Sequence, residues 1–305
     1  MGRIGAGTMR VYRRAGPEGA AACVLVDGRL APIGDVAPAL EPADPGDLDE
    51  VVQAGRLPQL AEALSATPRL RGRSWPRVED AELLPPLVRP PKIWCIGLNY
   101  RAHAADLDAA QPDEPVGFMR PARSLVGPGA TIRLPRASGR VTGEGELAIV
   151  LGRTASEFGP EAAPAMIGAL TLAVDMTAED ILRRNPRFLT RAKSFDTFLS
   201  LGPCLVAPDE VAGGRALAVG GLDHLHTRTL LGGRAAREAP VANMRHSPER
   251  LLSFFSRDMT WSAGDILLTG TPGAVPIRDG DTVGAEVSGI GRLENPVRGP
   301  RDRPG

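Results

Sequence analysis

The sequence predicts an α+β fold that is mainly β, with a larger domain of short strands preceded by a small N-terminal α/β domain. Short apolar runs alternate with turns along the chain, which holds 36 glycines and 29 prolines. Few stretches show the 3.6-residue spacing of amphipathic helices. The length of 305 residues suits about two domains, and the apolar fraction of 43 % is that of a folded protein.

The N-terminal part reads as short strands followed by helices. Residues 9–35 form the strands, with a hairpin turn at Asp27-Gly28. Apolar residues recur at helical spacing in residues 48–55 and 57–66, and residues 68–91 form a linker rich in Pro and Arg. The predicted organisation is an upstream extension at residues 1–8, a small N-terminal domain with its Pro-rich linker at 9–85, a larger domain at 90–297 and a disordered tail at 298–305.

The larger domain begins with a buried strand at Ile93–Gly97, where the apolar run follows two proline pairs. Further strands are expected where apolar runs lie next to turns, and short helices where the spacing is helical. The other predicted strands are residues 146–151, 170–174, 266–269 and 282–287. The predicted helices are residues 99–106, 160–169 and 177–184.

Charge and composition exclude several function classes. Basic and acidic residues number 36 each, so a balanced chain without a basic block argues against nucleic-acid and membrane-surface partners. The longest nearly uncharged apolar stretch, residues 162–174, is shorter than the roughly 20 residues of a membrane span. Three widely spaced cysteines form no disulfide framework or metal knuckle. We expect a cytoplasmic protein whose partner is a small molecule.

Three carboxylates are candidate metal ligands. Glu144 and Glu146 are two residues apart at the start of an apolar strand, so both side chains point to one face. Asp175 follows a second apolar strand. Oxygen ligands without His or Cys nearby favour Mg²⁺ or Mn²⁺, with Ca²⁺ as an alternative. The plainer interpretations remain open: a solvated strand end for the glutamates and a helix N-cap for Asp175.

A histidine, a lysine and a glycine-rich loop are further candidates. His103 and Asp106 share a face of a helical turn, and a carboxylate raises the basicity of an imidazole that acts as a general base. Most such pairs are surface or capping contacts. Lys193 is one of only two lysines in an arginine-rich chain. The loop at residues 269–273 can bring backbone N–H groups and a hydroxyl to a ligand, although alone it is only a turn.

Seven blocks in order resemble the fumarylacetoacetate hydrolase family. The resemblance covers residues 90–297 without large gaps, and the N-terminal hairpin VDGRLAPI also looks like that family's N-terminal domain. The blocks are GLNYRAHAAD, EPVGFMRP, GEGELAIVLG, AVDMTAEDI, TRAKSFDTFLSLGP, GDILLTGTPGAV and GDTVGAEVSGIGRLENPV. Together they are far more specific than any single motif above.

The resemblance implies the family's mixed β roll for the larger domain, assembled as a homodimer. It implies a divalent metal, normally Mg²⁺, held by three carboxylates, a lysine that contacts substrate oxygens, and a catalytic histidine on a short lid helix with an acidic partner. The residues that match are Glu144, Glu146 and Asp175 for the metal, His103, Asp106 and Lys193 for catalysis, and Arg120, Glu179, Lys193, Gly270 and Thr271 for substrate binding.

The chain departs from the family pattern at several of these positions. Glu179 and Leu182 stand where the family usually has Arg and Gln, which hold substrate oxygens in its hydrolases. An acid at position 179 is expected to repel a second substrate carboxylate, which favours a less anionic substrate. Arg120 replaces a lysine, and Thr142 and Gly143 replace an acid and an aromatic residue.

Members of this family act on 2-oxo and 2,4-dioxo acids. The resemblance therefore implies a metal-dependent enzyme that acts on a 2-oxo acid or 1,3-dicarbonyl compound through a metal-stabilised enolate. Hydrolysis of a C–C bond is the first expectation, and an isomerase, hydratase or decarboxylase acting on the same enolate is the alternative. A catalytically retired binding protein is the rival from another class, because a fold does not fix a function.

Overall fold

The computed structural model describes residues 9–66, 74–102 and 113–300. Its strands are β1 (Arg10–Arg14), β2 (Ala21–Val26), β3 (Arg29–Pro32), β4 (Leu83–Leu84), β5 (Ile93–Gly97), β6 (Val116–Met119), β7 (Leu125–Val126), β8 (Ile132–Arg133), β9 (Val141–Leu151), β10 (Ile167–Ala178), β11 (Leu199–Val206), β12 (His226–Leu231), β13 (Arg234–Pro240), β14 (Ile266–Leu268), β15 (Ala274–Ile277), β16 (Thr282–Val287) and β17 (Gly291–Arg298). The helices are α1 (Ile33–Val36), α2 (Leu48–Gln53), α3 (Leu57–Ala66), α4 (Glu179–Arg184), α5 (Leu189–Lys193), α6 (Pro208–Val211) and α7 (Pro248–Ser256). The fold is α+β and mainly β, so the predicted class is confirmed.

The strands of the described residues form two sheets. The larger has the order β3-β2-β1-β11-β10-β9-β14-β5-β6, with β4, β7 and β15 paired to β1, β11 and β9. It is mixed, because β14 is parallel to β5 and antiparallel to β9. The smaller sheet, β13-β12-β16-β17-β8, packs against β9 and β10. The two longest strands therefore lie in the middle of the larger sheet and under the smaller one.

The N-terminal region joins the larger sheet through strand pairing. β1 runs antiparallel to β11, with Arg10 opposite Val206. The hairpin between β2 and β3 turns at Asp27-Gly28, as predicted. These two residues have positive φ angles of 49° and 78°. The helices expected at residues 48–55 and 57–66 are α2 and α3. The predicted N-terminal domain, residues 9–85, thus supplies β1, β2 and β3 at one edge of the sheet that carries the site, and β4, which pairs with β1.

One sequence prediction about the central strands is wrong, and one open alternative is ruled out. A helix is predicted over residues 160–169, but a single 3₁₀ turn, Ala163–Met166, leads directly into β10 at Ile167. β10 contains the predicted strand 170–174 and continues to Ala178, so Asp175 lies inside a strand and is not a helix N-cap. The ends of β10 are hard to predict because the strand is buried on both faces, so its sequence lacks the alternation of apolar and polar residues.

β17 extends through Arg298, where the predicted tail begins, and residues 1–8 and 301–305 lie outside the described residues. Within residues 9–66, 74–102 and 113–300, no helix combines the length and apolarity needed to cross a bilayer.

Two glycines in β9 allow the smaller sheet to approach. A Cβ atom at Gly143 would lie 2.6 Å from Cγ2 of Val283, and one at Gly145 would lie 2.5 Å from the carbonyl oxygen of Arg228. Because side chains alternate along a strand, Glu144 and Glu146 point to the opposite face. β9 therefore presents glycines to the smaller sheet and carboxylates to the other side, and the aromatic residue usual at position 143 has no room here.

Gly145→Ala should lower the free energy of unfolding by about 3 kcal/mol, because its methyl group meets backbone atoms that cannot move aside. Gly139→Ala is the matched control: a Cβ there meets nothing within 4 Å. We expect the control to change stability by less than about 0.5 kcal/mol. Urea unfolding of both variants measures the difference, and equal stabilities would refute the close sheet contact.

Candidate active site

Three carboxylates meet on the central strands because of the pairing register. In the antiparallel pair β9–β10, Glu144 lies directly opposite Asp175, and Glu146 lies opposite Ala173 on the same face. All three side chains are buried, and one oxygen of each lies within 4.8 Å of the others. The structure thus brings together the three residues predicted as metal ligands.

Each carboxylate of this triad is held by a different set of donors. The Thr177 hydroxyl donates to Oε1 of Glu144 at 3.0 Å, and the backbone N–H of Gly270 donates to Oε2 of Glu146 at 2.7 Å. Asp175 accepts a hydrogen bond from Nη1 of Arg120. These contacts fix the directions of the carboxylate oxygens before any ligand binds.

Lys193 lies at the end of α5 with its ammonium group inside the triad. Nζ is 2.8 Å from Oδ2 of Asp175 and 3.0 Å from Oε2 of Glu144, and it lies 5.2 Å from the ring centroid of Phe118. Burial alone would lower the pKa of Lys193, but the charges of Asp175 and Glu144 outweigh burial and raise it. The ammonium group therefore stays charged at neutral pH.

The triad fits a divalent cation. Burial, followed by the charge of Asp175, raises the pKa of Glu146 well above its ordinary value, so the site lacks positive charge when all three groups are ionised. An octahedral Mg²⁺ with bonds of about 2.1 Å holds its ligand atoms roughly 3–4 Å apart, which the oxygen separations allow. Among the described residues, no lysine or arginine side chain is bonded to Glu146. A hard cation would supply the missing positive charge there.

A cavity of about 300 Å³ opens beside the triad. Glu144, Glu146, Lys193 and Thr271 lie at one end of its lining. Its other walls come from the end of β5, from β6, from α4 and from the residues between α4 and α5. The volume is at the lower end of the range for small-molecule sites.

The loop after β14 packs over the triad through a network of hydroxyl groups. Thr229 on β12 accepts a hydrogen bond from the N–H of Gly145 at 2.9 Å and donates one to the carbonyl of Gly273 at 2.9 Å. Its hydroxyl is 3.3 Å from that of Thr271, which lines the cavity. Gly270 has φ of 97°, a conformation that glycine adopts without strain, and this turns its N–H toward Glu146.

Comparisons with known proteins decide the family. Residues 92–298 match the family model described as fumarylacetoacetate (FAA) hydrolase, C-terminal. The chain belongs to the fumarylacetoacetate hydrolase family. It is 36 % identical over 293 residues to Protein Rv2993c of Mycobacterium tuberculosis, which covers 95 % of this chain and 98 % of that one.

Two other relatives in this family carry names that describe a reaction. A mitochondrial oxaloacetate tautomerase of Xenopus laevis is 32 % identical over 270 residues, or 85 % of this chain and 81 % of that one. A crystal structure of 5-carboxymethyl-2-hydroxymuconate delta-isomerase from Mycobacterium smegmatis superposes with a TM-score of 0.71 at 32 % identity, covering 96 % of this chain and all of the other.

Glu179, which departs from the family pattern, is neutralised by two arginines. It is the first residue of α4, lines the cavity and is buried. Its Oε1 accepts hydrogen bonds from Nη2 and Nε of Arg183 at 2.6 and 2.9 Å, and its Oε2 accepts one from Arg140. The repulsion of a second carboxylate that its charge predicts is therefore offset by two guanidinium groups.

Arg120, the other exchanged residue, lies behind the triad. Besides Asp175, its guanidinium group donates to the backbone carbonyls of Met176 and Phe198. Its side chain is fully buried, and it does not line the cavity. This geometry favours a role in holding Asp175 over the direct substrate contact that the resemblance implies. His103 and Asp106 lie outside the described residues, so the pair stays a prediction.

Several residues of the site are missed by sequence reasoning. Thr177 is two residues after Asp175 on the same strand face, a spacing that could have indicated its contact with the triad. Arg183 is four residues after Glu179, the spacing of helical ion pairs. Arg140 and Thr229 carry no such signal, because only the tertiary fold brings them to the site.

Glu146→Gln should raise the melting temperature of the metal-free protein at pH 8 by about 3 °C. A buried group whose folded-state pKa is raised stabilises the fold fully only below its ordinary pKa, near 4.5, and loses that stabilisation as pH rises. The neutral amide avoids this loss of stability. The substitution should also abolish the further rise in melting temperature that Mg²⁺ causes in the unaltered protein.

Glu249→Gln is the matched control for this variant. Glu249 is also buried, and its carboxylate also accepts a glycine N–H, from Gly220 at 3.0 Å, but it lies outside the triad. We expect its Mg²⁺ response to equal that of the unaltered protein in a thermal-unfolding titration. If Mg²⁺ raises the melting temperature of Glu146→Gln as much as that of the unaltered protein, Glu146 is not a metal ligand.

Proposed function

We propose that the protein is a Mg²⁺-dependent enzyme that converts a 2-oxo acid or a related 1,3-dicarbonyl compound through an enolate. The observation that carries this is the buried carboxylate triad with the Lys193 ammonium group inside it, at the end of a small-molecule cavity. Mn²⁺ and Ca²⁺ are the alternative ions, since all three prefer oxygen ligands. We also propose a cytoplasmic location and the homodimeric assembly implied by the family.

Glu144, Glu146 and Asp175 would hold the divalent cation, which would supply a Lewis acid for a 2-oxo acid. Lys193 places a fixed positive charge beside the same oxygens, where it stabilises the negative charge of an enolate. Thr271 offers a hydroxyl at this end of the cavity. Arg120 and Thr177 keep two of the carboxylates oriented, so that the site needs little rearrangement when the charge develops.

The reaction we favour is that of a tautomerase or isomerase, in which a proton leaves one atom to form the enolate and is returned to another atom. The relatives named as oxaloacetate tautomerase and as a muconate delta-isomerase support it. Such a reaction needs one group that takes a proton from carbon or oxygen and returns it elsewhere. We assign this proton transfer to His103, oriented by Asp106.

Hydrolysis of a C–C bond in an acylpyruvate is the second candidate. The match of residues 92–298 to the hydrolase family supports it. This reaction passes through the same enolate as leaving group, but it also requires a water molecule that attacks the acyl carbonyl. His103 would then act as general base for that water.

The first experiment is a thermal-unfolding titration with oxalate, a planar mimic of the enolate, with and without Mg²⁺. We expect a rise in melting temperature that needs both ions, because a ligand of the native state stabilises it by mass action. Lys193→Gln should keep the response to Mg²⁺ and weaken oxalate binding by about tenfold. No response of the unaltered protein to either ion would favour the retired binding protein.

His103→Ala should lower kcat by about 10²–10⁴-fold, because it removes the group that moves the proton. The two candidate reactions are followed separately: loss of the enol absorbance of oxaloacetate reports tautomerisation, and pyruvate release from acetylpyruvate reports hydrolysis. The variant should retain its Mg²⁺- and oxalate-dependent stabilisation, which shows that the triad is intact. Wild-type rates in both assays would exclude His103 from catalysis.

A further inference from the structure

The described lining of the cavity has two chemically different parts. One part is polar and contains Glu144, Glu146, Lys193 and Thr271. The rest includes the charged residues Glu179 and Arg183 and six apolar side chains, which are Ile96, Leu98, Phe118, Leu182, Pro186 and Leu189. A ligand whose polar atoms lie at the triad therefore extends past hydrocarbon groups.

Helix α4 presents Leu182 to this wall. Ile181 is fully buried in the core, whereas its neighbour Leu182 is only partly buried and faces the cavity. The leucine side chain offers the wall neither a hydrogen-bond donor nor an acceptor. An oxygen-rich ligand group placed there loses its hydrogen bonds to water and finds no replacement at position 182.

Leu98 adds a second indication that the apolar wall is a functional feature. Its φ is 57°, in the left-handed region that glycine adopts freely and a leucine adopts only at an energetic cost. Its side chain lines the cavity directly after β5. Strained residues persist where a site uses them, and here the strain brings an apolar side chain to the ligand.

The charged groups near this wall are engaged with each other. Glu179 is 8 % exposed, and Arg183, which donates two hydrogen bonds to it, is 60 % exposed. Arg140 donates from the other side and is 50 % exposed. An anionic ligand group drawn to Arg183, which also lines the cavity, would compete with Glu179 for that guanidinium group, while an apolar group disturbs neither contact.

We propose that the substrate carries an uncharged, apolar substituent beyond its chelating 2-oxo acid end, and that Leu182 and Leu98 select it. The preferred substrate is then a mono-acid with an alkyl or aryl tail, not a dicarboxylate. This inference rests on the proposed function, because the triad defines which end of the ligand is the chelating one.

Three oxamates test the inference by calorimetry in saturating Mg²⁺, since the oxamate group mimics a 2-oxo acid. Oxamate has no tail, N-butyloxamate has an apolar tail, and N-(3-carboxypropyl)oxamate has an anionic tail of matched length. Each methylene moved from water into the cavity should tighten binding roughly fourfold. We expect N-butyloxamate to bind at least tenfold more tightly than the other two.

Two substitutions at one position locate the selection. Leu182→Gln should weaken N-butyloxamate binding about tenfold and leave oxamate binding within about twofold. Leu182→Met, which keeps an apolar side chain of similar volume, is the control and should stay within about threefold for both probes. Leu182 is only partly buried, so both variants should fold, and urea unfolding checks this.

The outcomes separate this inference from the proposed function. Oxamate binding without a preference for the butyl tail overturns the apolar subsite alone. The apolar subsite is also overturned if the carboxypropyl compound binds most tightly of the three. If Arg183→Gln then abolishes that tight binding, Arg183 is the residue that binds the carboxylate of the tail. Failure of oxamate itself to bind overturns the proposed function, and the inference that depends on it.

Discussion

Repulsion between three buried carboxylates is the constraint on which the site depends. Glu144, Glu146 and Asp175 are brought together by the pairing of β9 with β10 and not by a loop, so they cannot move apart without breaking the central sheet. Lys193 and Arg120 compensate part of the charge, which fixes the end of α5 and the residue after β6 against these strands. The remaining deficit of positive charge makes the site suited to a cation.

Local sequence patterns predict the elements that turns delimit. The hairpin at Asp27-Gly28 and the strand Ile93–Gly97 are found where they are predicted. The same patterns misplace the bounds of β10: the predicted strand covers only residues 170–174, and residues 167–169 are assigned to a helix. A strand buried on both faces has no alternation that would mark its ends. The cluster of three carboxylates is predictable because spacing on β9 and the family blocks point to the same residues.

The electrostatics of the far end of the cavity could not be predicted. Glu179 alone suggests a negative wall, and the ion pair with Arg140 that changes this joins residues 39 positions apart. Arg120 shows the same limit, since its sequence block indicates substrate contact while its position in the fold directs it to Asp175. A residue type at a family position predicts chemistry only when its partners are known.

The glycine–glutamate alternation of β9 also bears on how the chain folds. A slip of one residue in the pairing of β9 with β10 would turn both glutamates under the smaller sheet, where Gly143 and Gly145 leave no room, and turn the glycines toward the cation site. Misaligned strands would thus combine a steric clash with an uncompensated buried charge. The alternation of glycine and glutamate therefore favours the native alignment of β9 with β10 over a one-residue slip.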